Sequence, residues 1–98
     1  MELRWRTDVC GPVAGALDIV PTTGQLVCST TQGCINLLNT STGNIELTSD
    51  KLPGEVFSSP LAISDVVVVG CRDNNLYCFK IENQNTFKDD GQGKSNSL

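Results

Sequence analysis

The fold is decided by residues 26–38, which read Leu26-Val27-Cys28-Ser29-Thr30-Thr31-Gln32-Gly33-Cys34-Ile35-Asn36-Leu37-Leu38. This stretch is an apolar run, a short polar turn and a second apolar run. About 41 residues later the chain repeats the pattern as Val67-Val68-Val69-Gly70-Cys71-Arg72-Asp73-Asn74-Asn75-Leu76-Tyr77-Cys78-Phe79. A period of about 40 to 45 residues with several strands per unit is typical of β-propeller blades, which cannot bury their faces alone. The repeat therefore predicts a propeller and points to an object larger than this chain.

Composition and charge exclude several classes of partner. The 98 residues carry a net charge of −4, and no Lys or Arg occurs between Thr7 and Asp50. A nucleic-acid binder needs a basic stripe to displace phosphate counterions, and acidic lipid surfaces select the same feature. No apolar run approaches the roughly 20 residues of a membrane span, and residues 1–6 lack the apolar core of a signal peptide. We therefore expect a cytoplasmic protein whose partners include neither nucleic acid nor membrane.

The five cysteines do not form a metal-site pattern. They are Cys10, Cys28, Cys34, Cys71 and Cys78, with no C-x-x-C pair and no histidine in the chain. Four of them lie inside or beside apolar runs, where a thiol behaves as a small hydrophobic group. We therefore predict structural cysteines in a reducing compartment, no metal site and no cofactor.

Strand patterns divide the chain into four segments and indicate no helix. Predicted strands cover residues 3–7, 13–20, 26–29, 34–39, 45–48, 58–63, 66–71 and 76–81, separated by turn clusters. The segments are an outer strand of a preceding blade at 1–8, a propeller blade at 9–50, a second, incomplete blade at 51–82 and a disordered tail at 83–98. The second unit counts as incomplete because it shows three strand patterns and lacks an outer strand. Beyond Glu82 only Phe87 and Leu98 are apolar, which is typical of a solvated tail.

Residues 37–47, Leu-Leu-Asn-Thr-Ser-Thr-Gly-Asn-Ile-Glu-Leu, resemble the repeat of quinoprotein-type (PQQ-repeat) propellers. That repeat has a strand ending in Leu-Asp, a Thr-Gly turn and a Trp four residues beyond the Gly. Thr42 and Gly43 fit the pattern, whereas Asn39 replaces the usual Asp and Leu47 the usual Trp. Residues 70–79 are similar to a second stretch of the repeat, Gly-Ser-x-Asp-Gly-x-Leu-Tyr-Ala-Leu. The resemblance implies packing roles at Trp5, Gly33, Gly43, Leu47, Pro60, Gly70, Asp73 and Tyr77, with Trp5 as the docking Trp of a preceding blade.

Two further stretches narrow the resemblance. Leu52-Pro53-Gly54-Glu55-Val56-Phe57-Ser58-Ser59-Pro60 and Val69-Gly70-Cys71-Arg72-Asp73-Asn74 are similar to the C-terminal end of the β-alanine-activating enzyme family. These proteins are adenylate-forming acyl-CoA synthetases, also labelled aminoadipate-semialdehyde-dehydrogenase-like. The resemblance implies a parent with an adenylation domain, a phosphopantetheine carrier domain and a C-terminal propeller. It covers roughly residues 2–81 and reaches the propeller alone.

No stretch of the chain matches a catalytic motif. An adenylation domain needs a Ser/Thr/Gly-rich phosphate loop followed by Lys, and residues 41–43 and 58–60 are too short and lack it. Asp8 with Asp18, or Asp50 with Glu55, could be imagined as acid–base pairs, but no spacing fixes their separation. A quinone site needs a sulfur pair and clustered carboxylates, which this sequence does not offer. We therefore predict no catalytic, cofactor-binding or metal-binding residue and no enzymatic activity of this chain.

The predicted function is that of a non-catalytic β-propeller interaction scaffold. Its parent would activate β-alanine or a related acid, and its partners would be the remaining propeller blades or another protein. A second interpretation is a truncated fragment with no independent function. A third is a pair of blades from a PQQ-dependent dehydrogenase. The polar turn 72–75 fits either a partner contact or a plain hairpin turn.

Overall fold

A computed structural model describes residues 1–83 and 86–89 of the chain. Its strands are β1 (Asp18–Ile19), β2 (Leu26–Ser29), β3 (Ile35–Leu38), β4 (Ile45–Thr48), β5 (Leu61–Ile63), β6 (Val66–Gly70), β7 (Leu76–Asn83) and β8 (Thr86–Asp89). They form two four-stranded antiparallel sheets, in the orders β1-β2-β3-β4 and β5-β6-β7-β8. No described residue lies in a helix, so none forms a helix able to cross a membrane. The prediction of an all-β chain with about two blade-like sheets is confirmed.

The two sheets repeat each other in backbone detail as well as in strand order. The β2–β3 turn has Gly33 at φ 92°, whose N–H donates to the Thr30 carbonyl at 3.0 Å. At the same point of the β6–β7 turn, Asn74 has φ 72° and its N–H donates to the Cys71 carbonyl at 3.2 Å. Glycine and asparagine are the residues that adopt this left-handed conformation at least cost. The sequence repeat is therefore a repeat of turn geometry.

The hydrophobic core lies between the two sheets. Val27, Ile35 and Leu37 come from the first sheet and are fully buried. Val67 and Val69 face them from the second sheet, and the alternate residues of β6 remain half-exposed. This alternation follows from the two-residue period of a strand, which directs successive side chains to opposite faces. The core is therefore an interface between two sheets.

The segment between the sheets, residues 49–60, binds the turns of both. The Leu52 N–H donates to the Gly33 carbonyl at 2.9 Å, and the Val56 N–H donates to the Thr31 carbonyl at 3.2 Å. The Glu55 carbonyl accepts a hydrogen bond from the Arg72 N–H at 2.8 Å. These bonds satisfy backbone groups at the edge of the core and fix one sheet against the other.

Two predicted strands differ from the structure at the N-terminal end. The alternating pattern of residues 3–7 predicted a strand, but these residues do not form one. Within the described residues, no strand pairs with them. The predicted strand 13–20 is reduced to β1 and a single bridge between Val13 and Thr30. Gly15 at φ 67° interrupts the extended backbone between these two points. The structure therefore contains no outer strand at residues 1–8, where the sequence predicted one.

The second sheet has an outer strand, which corrects the prediction of an incomplete blade at 51–82. Strand β8 pairs antiparallel with β7, and β7 continues to Asn83. Of the tail predicted at 83–98, Asn83 and residues 86–89 belong to these strands, while residues 84–85 and 90–98 lie outside the described residues. A backbone ladder needs no apolar side chains, so this strand left little trace in the hydropathy pattern.

Candidate interaction surface

Asp18 joins the two sheets where β1 approaches β5. One carboxylate oxygen, Oδ1, accepts a hydrogen bond from the Ile19 N–H at 2.8 Å, and Oδ2 accepts one from the Ala62 N–H at 2.9 Å. These backbone donors, Ala62 first, hold the pKa of Asp18 below its ordinary value because they stabilise the charged form. Nearby, the Ala16 N–H donates to Ser59 Oγ at 2.7 Å. Asp18, considered above as half of an acid–base pair, is bonded across the sheet interface.

We expect Asp18→Asn to lower the urea midpoint of the chain at pH 7 and to flatten its acid dependence. A carboxylate with a depressed folded-state pKa stabilises the fold above the unfolded-state pKa, about 3.9. That stability is lost as the pH falls through the folded-state pKa. Urea unfolding measured from pH 7 down to pH 3 tests this, with Asp50→Asn at an exposed position as the control. Identical pH profiles for wild type and Asp18→Asn would contradict the assignment.

Trp5 lies against the turn between β3 and β4. Its Nε1–H donates to the Thr40 carbonyl at 3.0 Å, and its ring covers Gly43, where an added Cβ would overlap the indole. Gly43 has φ 78°, and its N–H donates to the Asn39 carbonyl at 2.7 Å. The Thr7 hydroxyl donates to the Gly43 carbonyl. The absent side chain at Gly43 thus makes room for the indole, which anchors the N-terminal segment.

Asp73 and Tyr77 meet at the β6–β7 turn. The Tyr77 hydroxyl donates to Asp73 Oδ2 at 2.5 Å, and Asp73 Oδ1 accepts a hydrogen bond from the Asn75 N–H at 3.0 Å. The hydrogen bond from Tyr77 lowers the pKa of Asp73, and the bond to Asp73 raises the pKa of Tyr77. On the same turn, Arg72 lies over the Phe57 ring at 5.1 Å from its centroid. These contacts order the hairpin and tie it to the inter-sheet segment.

The remaining repeat positions are spread over the sheet interface. Leu47 lies in β4 and packs against the core, and Gly33 accepts the hydrogen bond from Leu52. Pro60 is buried directly before β5, and the Gly70 carbonyl accepts a hydrogen bond from Ser58 Oγ at 3.2 Å. The structure thus brings Trp5 to Gly43 and Asp73 to Tyr77, and it does not gather the eight positions into one pocket.

Within residues 1–83 and 86–89, no three His, Cys, Asp or Glu side chains form a group able to hold a metal ion. An open depression of about 330 Å³ lies beside Thr31 and Gln32, with the segment 51–55 along its other side. Lys51 and Glu55 are the charged residues of its lining, and both are exposed. A solvated pair of this kind does not by itself provide acid–base chemistry.

An apolar surface lies on the side of the second sheet that faces away from the core. We call it the outer face; its apolar residues are Leu61, Ile63, Val66, Val68 and Leu76, and the exposed Lys80 is paired with Val66 on the same side. Leu61 and Ile63 are each 52% exposed and Leu76 is 56% exposed. Leu61 is paired with Val68, and Ile63 with Val66, so these side chains share one face. A grouped apolar surface of this kind indicates a binding surface.

The outer face is the repeat counterpart of a buried face of the first sheet. With a period of about 41 residues, the buried Val27 and Ile35 correspond to the half-exposed Val68 and the exposed Leu76. Conversely, Val67 and Val69, which face the first sheet, correspond to Leu26 and Cys28 on the opposite side of β2. The two sheets therefore meet through opposite faces of one repeat unit, which is a head-to-tail interface.

Sequence comparisons find curated relatives of this chain. No family model matches the chain. It is 48% identical to the β-alanine-activating enzyme of Drosophila melanogaster over 86 residues, which cover 83% of this chain and 8% of that protein. The human β-alanine-activating enzyme is 38% identical over 56 residues, covering 57% of this chain and 5% of that protein. The chain thus spans less than a tenth of the length of these curated relatives.

A solved structure supports the fold independently. BamB from Moraxella catarrhalis, a β-propeller protein, superimposes with a TM-score of 0.69 at 18% sequence identity. The match covers 85% of this chain and 24% of the BamB chain. At this identity the likeness shows the fold: the two sheets are arranged as blades of a β-propeller.

Proposed function

We propose that the chain is a non-catalytic, two-blade segment of a β-propeller whose outer face binds a further blade of the same repeat. The outer face is the observation that carries this proposal, since its counterpart in the first sheet is already buried by a neighbouring sheet. A head-to-tail interface leaves each end of the pair able to repeat the contact. The segment then acts as a scaffold that joins the remaining blades, and the assembled propeller presents its loops to partners.

The similarity to β-alanine-activating enzymes supports the proposal that this chain is part of a longer enzyme of that kind. The name of those relatives states that they activate β-alanine, and this chain matches a short part of them. We place the activation of β-alanine or a related acid, through an adenylate, in other parts of such a parent. We also propose a cytoplasmic location, which is supported by five cysteines that form no disulfide with one another, as is typical of a reducing compartment.

The geometry of Trp5 favours this scaffold role over a quinone-dependent dehydrogenase. A quinone site would use an aromatic ring to stack on the cofactor, and Trp5 is the one tryptophan of the sequence. Its ring lies on Gly43 and its Nε1–H is bonded to Thr40, so the indole already serves blade packing.

The test is binding in trans to the Drosophila melanogaster enzyme from which the segment matched by this chain has been deleted. We expect a 1:1 complex by size-exclusion chromatography and calorimetry. Replacing Leu61 and Leu76 together by Lys should weaken it at least about tenfold, because two charges would be buried without partners. The control is Leu3→Lys, which places the same charge at an exposed leucine away from the outer face. Equal binding by the two variants would contradict the proposal.

Two further measurements keep the proposal testable if the deleted enzyme fails to fold. Hydroxyl-radical footprinting of the intact Drosophila enzyme should show protection at the residues aligned with Leu61 and Leu76, while both are modified in this isolated chain. Exposure of both in the intact enzyme would contradict the docking of a further blade. β-Alanine-dependent exchange of pyrophosphate into ATP by this chain alone would contradict its non-catalytic role.

A further inference from the structure

One register row of the second sheet is apolar on two strands and basic on the other two. Ile63 is paired with Val66, and Val66 is paired with Lys80. Lys80 is in turn paired with Lys88 of β8. Along this row the sheet therefore changes from apolar at β5 and β6 to basic at β7 and β8, in a chain whose net charge is −4.

Lys80 and Lys88 occupy ladder positions that disfavour each other. Like charges directly opposite one another in an antiparallel pair are destabilising. Lys80 is exposed in this chain, so water and salt screen its charge. A further blade on the outer face would remove that water, and a buried charge is costly unless it is paired. Docking therefore requires a group that compensates the lysines.

The first sheet shows how the equivalent row is satisfied when it is buried. Gln25 and Asn39 each donate a side-chain hydrogen bond to the Glu46 carboxylate, at 2.8 Å and 3.2 Å, and Gln25 is 3% exposed. With a period of about 41 residues, Asn39 corresponds to Lys80, so the second sheet has a cation where the first has an amide. The same period brings Glu46 to Phe87, so β8 lacks the carboxylate at that position. The row has thus gained a charge and lost its acceptor.

We propose that the outer face selects a blade that is apolar opposite β5 and β6 and carries Asp or Glu carboxylates opposite Lys80 and Lys88. This inference rests on the docking of a further blade proposed above and names the chemistry of the blade that docks. The partner's carboxylate takes the role that Glu46 has in the first sheet and accepts hydrogen bonds from the Lys80 ammonium. A neutral blade surface leaves a buried cation unpaired, and a basic one is repelled.

Charge reversal at Lys80 should have opposite effects on the isolated chain and on the complex. In the isolated chain, Lys80→Glu turns the like-charge pair with Lys88 into a pair of opposite charges. We expect a higher urea midpoint in about 50 mM NaCl, and a smaller gain in about 500 mM NaCl because salt screens the pair. Lys51→Glu makes the same charge change at another exposed lysine and should not raise the midpoint. An unchanged or lowered midpoint for Lys80→Glu would show that a carboxylate of this chain, such as Glu82, already compensates Lys80, and would overturn the proposal.

The complex is measured in trans with the Drosophila melanogaster enzyme from which the matched segment has been deleted. Lys80→Glu should weaken binding at least about tenfold, because it places an anion against the partner's carboxylates, and Lys80→Gln should weaken it less. Lys51→Glu should bind as wild type does, and the affinity of the wild-type chain should fall as salt is raised. Equal binding by wild type, Lys80→Gln and Lys80→Glu would overturn the charge assignment and leave blade docking intact. Failure of the wild-type chain to bind would overturn both.

A chimera keeps the proposal falsifiable if the deleted enzyme does not fold. In it, this chain replaces the matched segment of the full Drosophila enzyme, and a carbodiimide joins amines to carboxylates that lie in contact with them. We expect Lys80 to be linked to an Asp or Glu outside the replaced segment, whereas Lys51 is not. Linkage of Lys80 only within this chain would overturn the proposal. So would a Lys80 that reacts with an amine reagent as fast in the chimera as in the isolated chain.

Discussion

Replacing Gly33 by alanine is expected to destabilise the chain by about 3 kcal/mol. Gly33 adopts φ 92°, a conformation that costs an L-amino acid free energy wherever it occurs. In addition, a Cβ at this position would lie 2.9 Å from the Gly54 carbonyl oxygen and 3.2 Å from the Leu52 nitrogen. Both contacts are with backbone, so relief requires the inter-sheet segment to move and the hydrogen bond from Leu52 to Gly33 to weaken. Urea unfolding monitored by Trp5 fluorescence and circular dichroism measures the loss.

Gly24→Ala is the matched control, because it isolates the conformational part of this cost. Gly24 also has a positive φ, 75°, but an added Cβ would meet no atom within 4 Å. Its substitution should therefore cost only about 1 kcal/mol. Equal losses at the two positions would show that the contact with residues 52–54 does not determine the effect of Gly33→Ala.

The repeat period predicted more of the fold than hydropathy did. Strand β4, Ile45–Thr48, and strand β8, Thr86–Asp89, are separated by the same interval as the two copies quoted from the sequence. The period, applied to β4, indicates a fourth strand in the second unit, although the strand patterns alone led to the prediction of an incomplete blade. Hydropathy missed it because Phe87 is the one apolar residue of β8, and hydrogen bonding to β7 does not depend on side-chain polarity.

The opposite error occurred at residues 3–7, where hydropathy predicted a strand that the structure does not contain. Alternating apolar and polar residues indicate which side chains can share a buried face. A strand also needs a neighbouring strand whose backbone N–H and carbonyl groups are available for hydrogen bonding. In the structure the segment is held by the Trp5 indole and the Thr7 hydroxyl. Resemblance to the propeller repeat predicts that Trp5 is the docking Trp of a preceding blade, a role that alternation alone does not indicate.

The hydrogen bonds that join the two sheets could not be predicted from residue spacing. Asp18 and Ala62 are 44 positions apart, and no local pattern indicates that this carboxylate meets that N–H. This contact depends on the docking of one segment against another, which sequence periodicity does not encode.

Replacing Ile35 by alanine is expected to destabilise the chain by about 3–4 kcal/mol. Ile35 is fully buried at the sheet interface. Two hydrogen bonds with Ser49 fix its backbone: the Ile35 N–H donates to Ser49 Oγ at 3.0 Å, and the Ser49 N–H donates to the Ile35 carbonyl at 2.9 Å. With the backbone held on both sides, the sheets cannot close over the lost atoms, so a cavity adds to the lost transfer free energy. Urea unfolding at constant m-value measures the difference.

The control for Ile35→Ala is Leu76→Ala, because the two residues hold the same position of the repeat. Leu76 is 56% exposed in this chain, so its truncation should change the free energy of unfolding by less than about 0.5 kcal/mol. When a further blade covers the outer face, Leu76 acquires the environment that Ile35 already has, and the same truncation should then weaken the complex. A large loss at Leu76 in the isolated chain would mean that the outer face is already buried and would remove the basis for docking. Little loss at both positions would instead mean that the two sheets do not pack through the repeat faces at all.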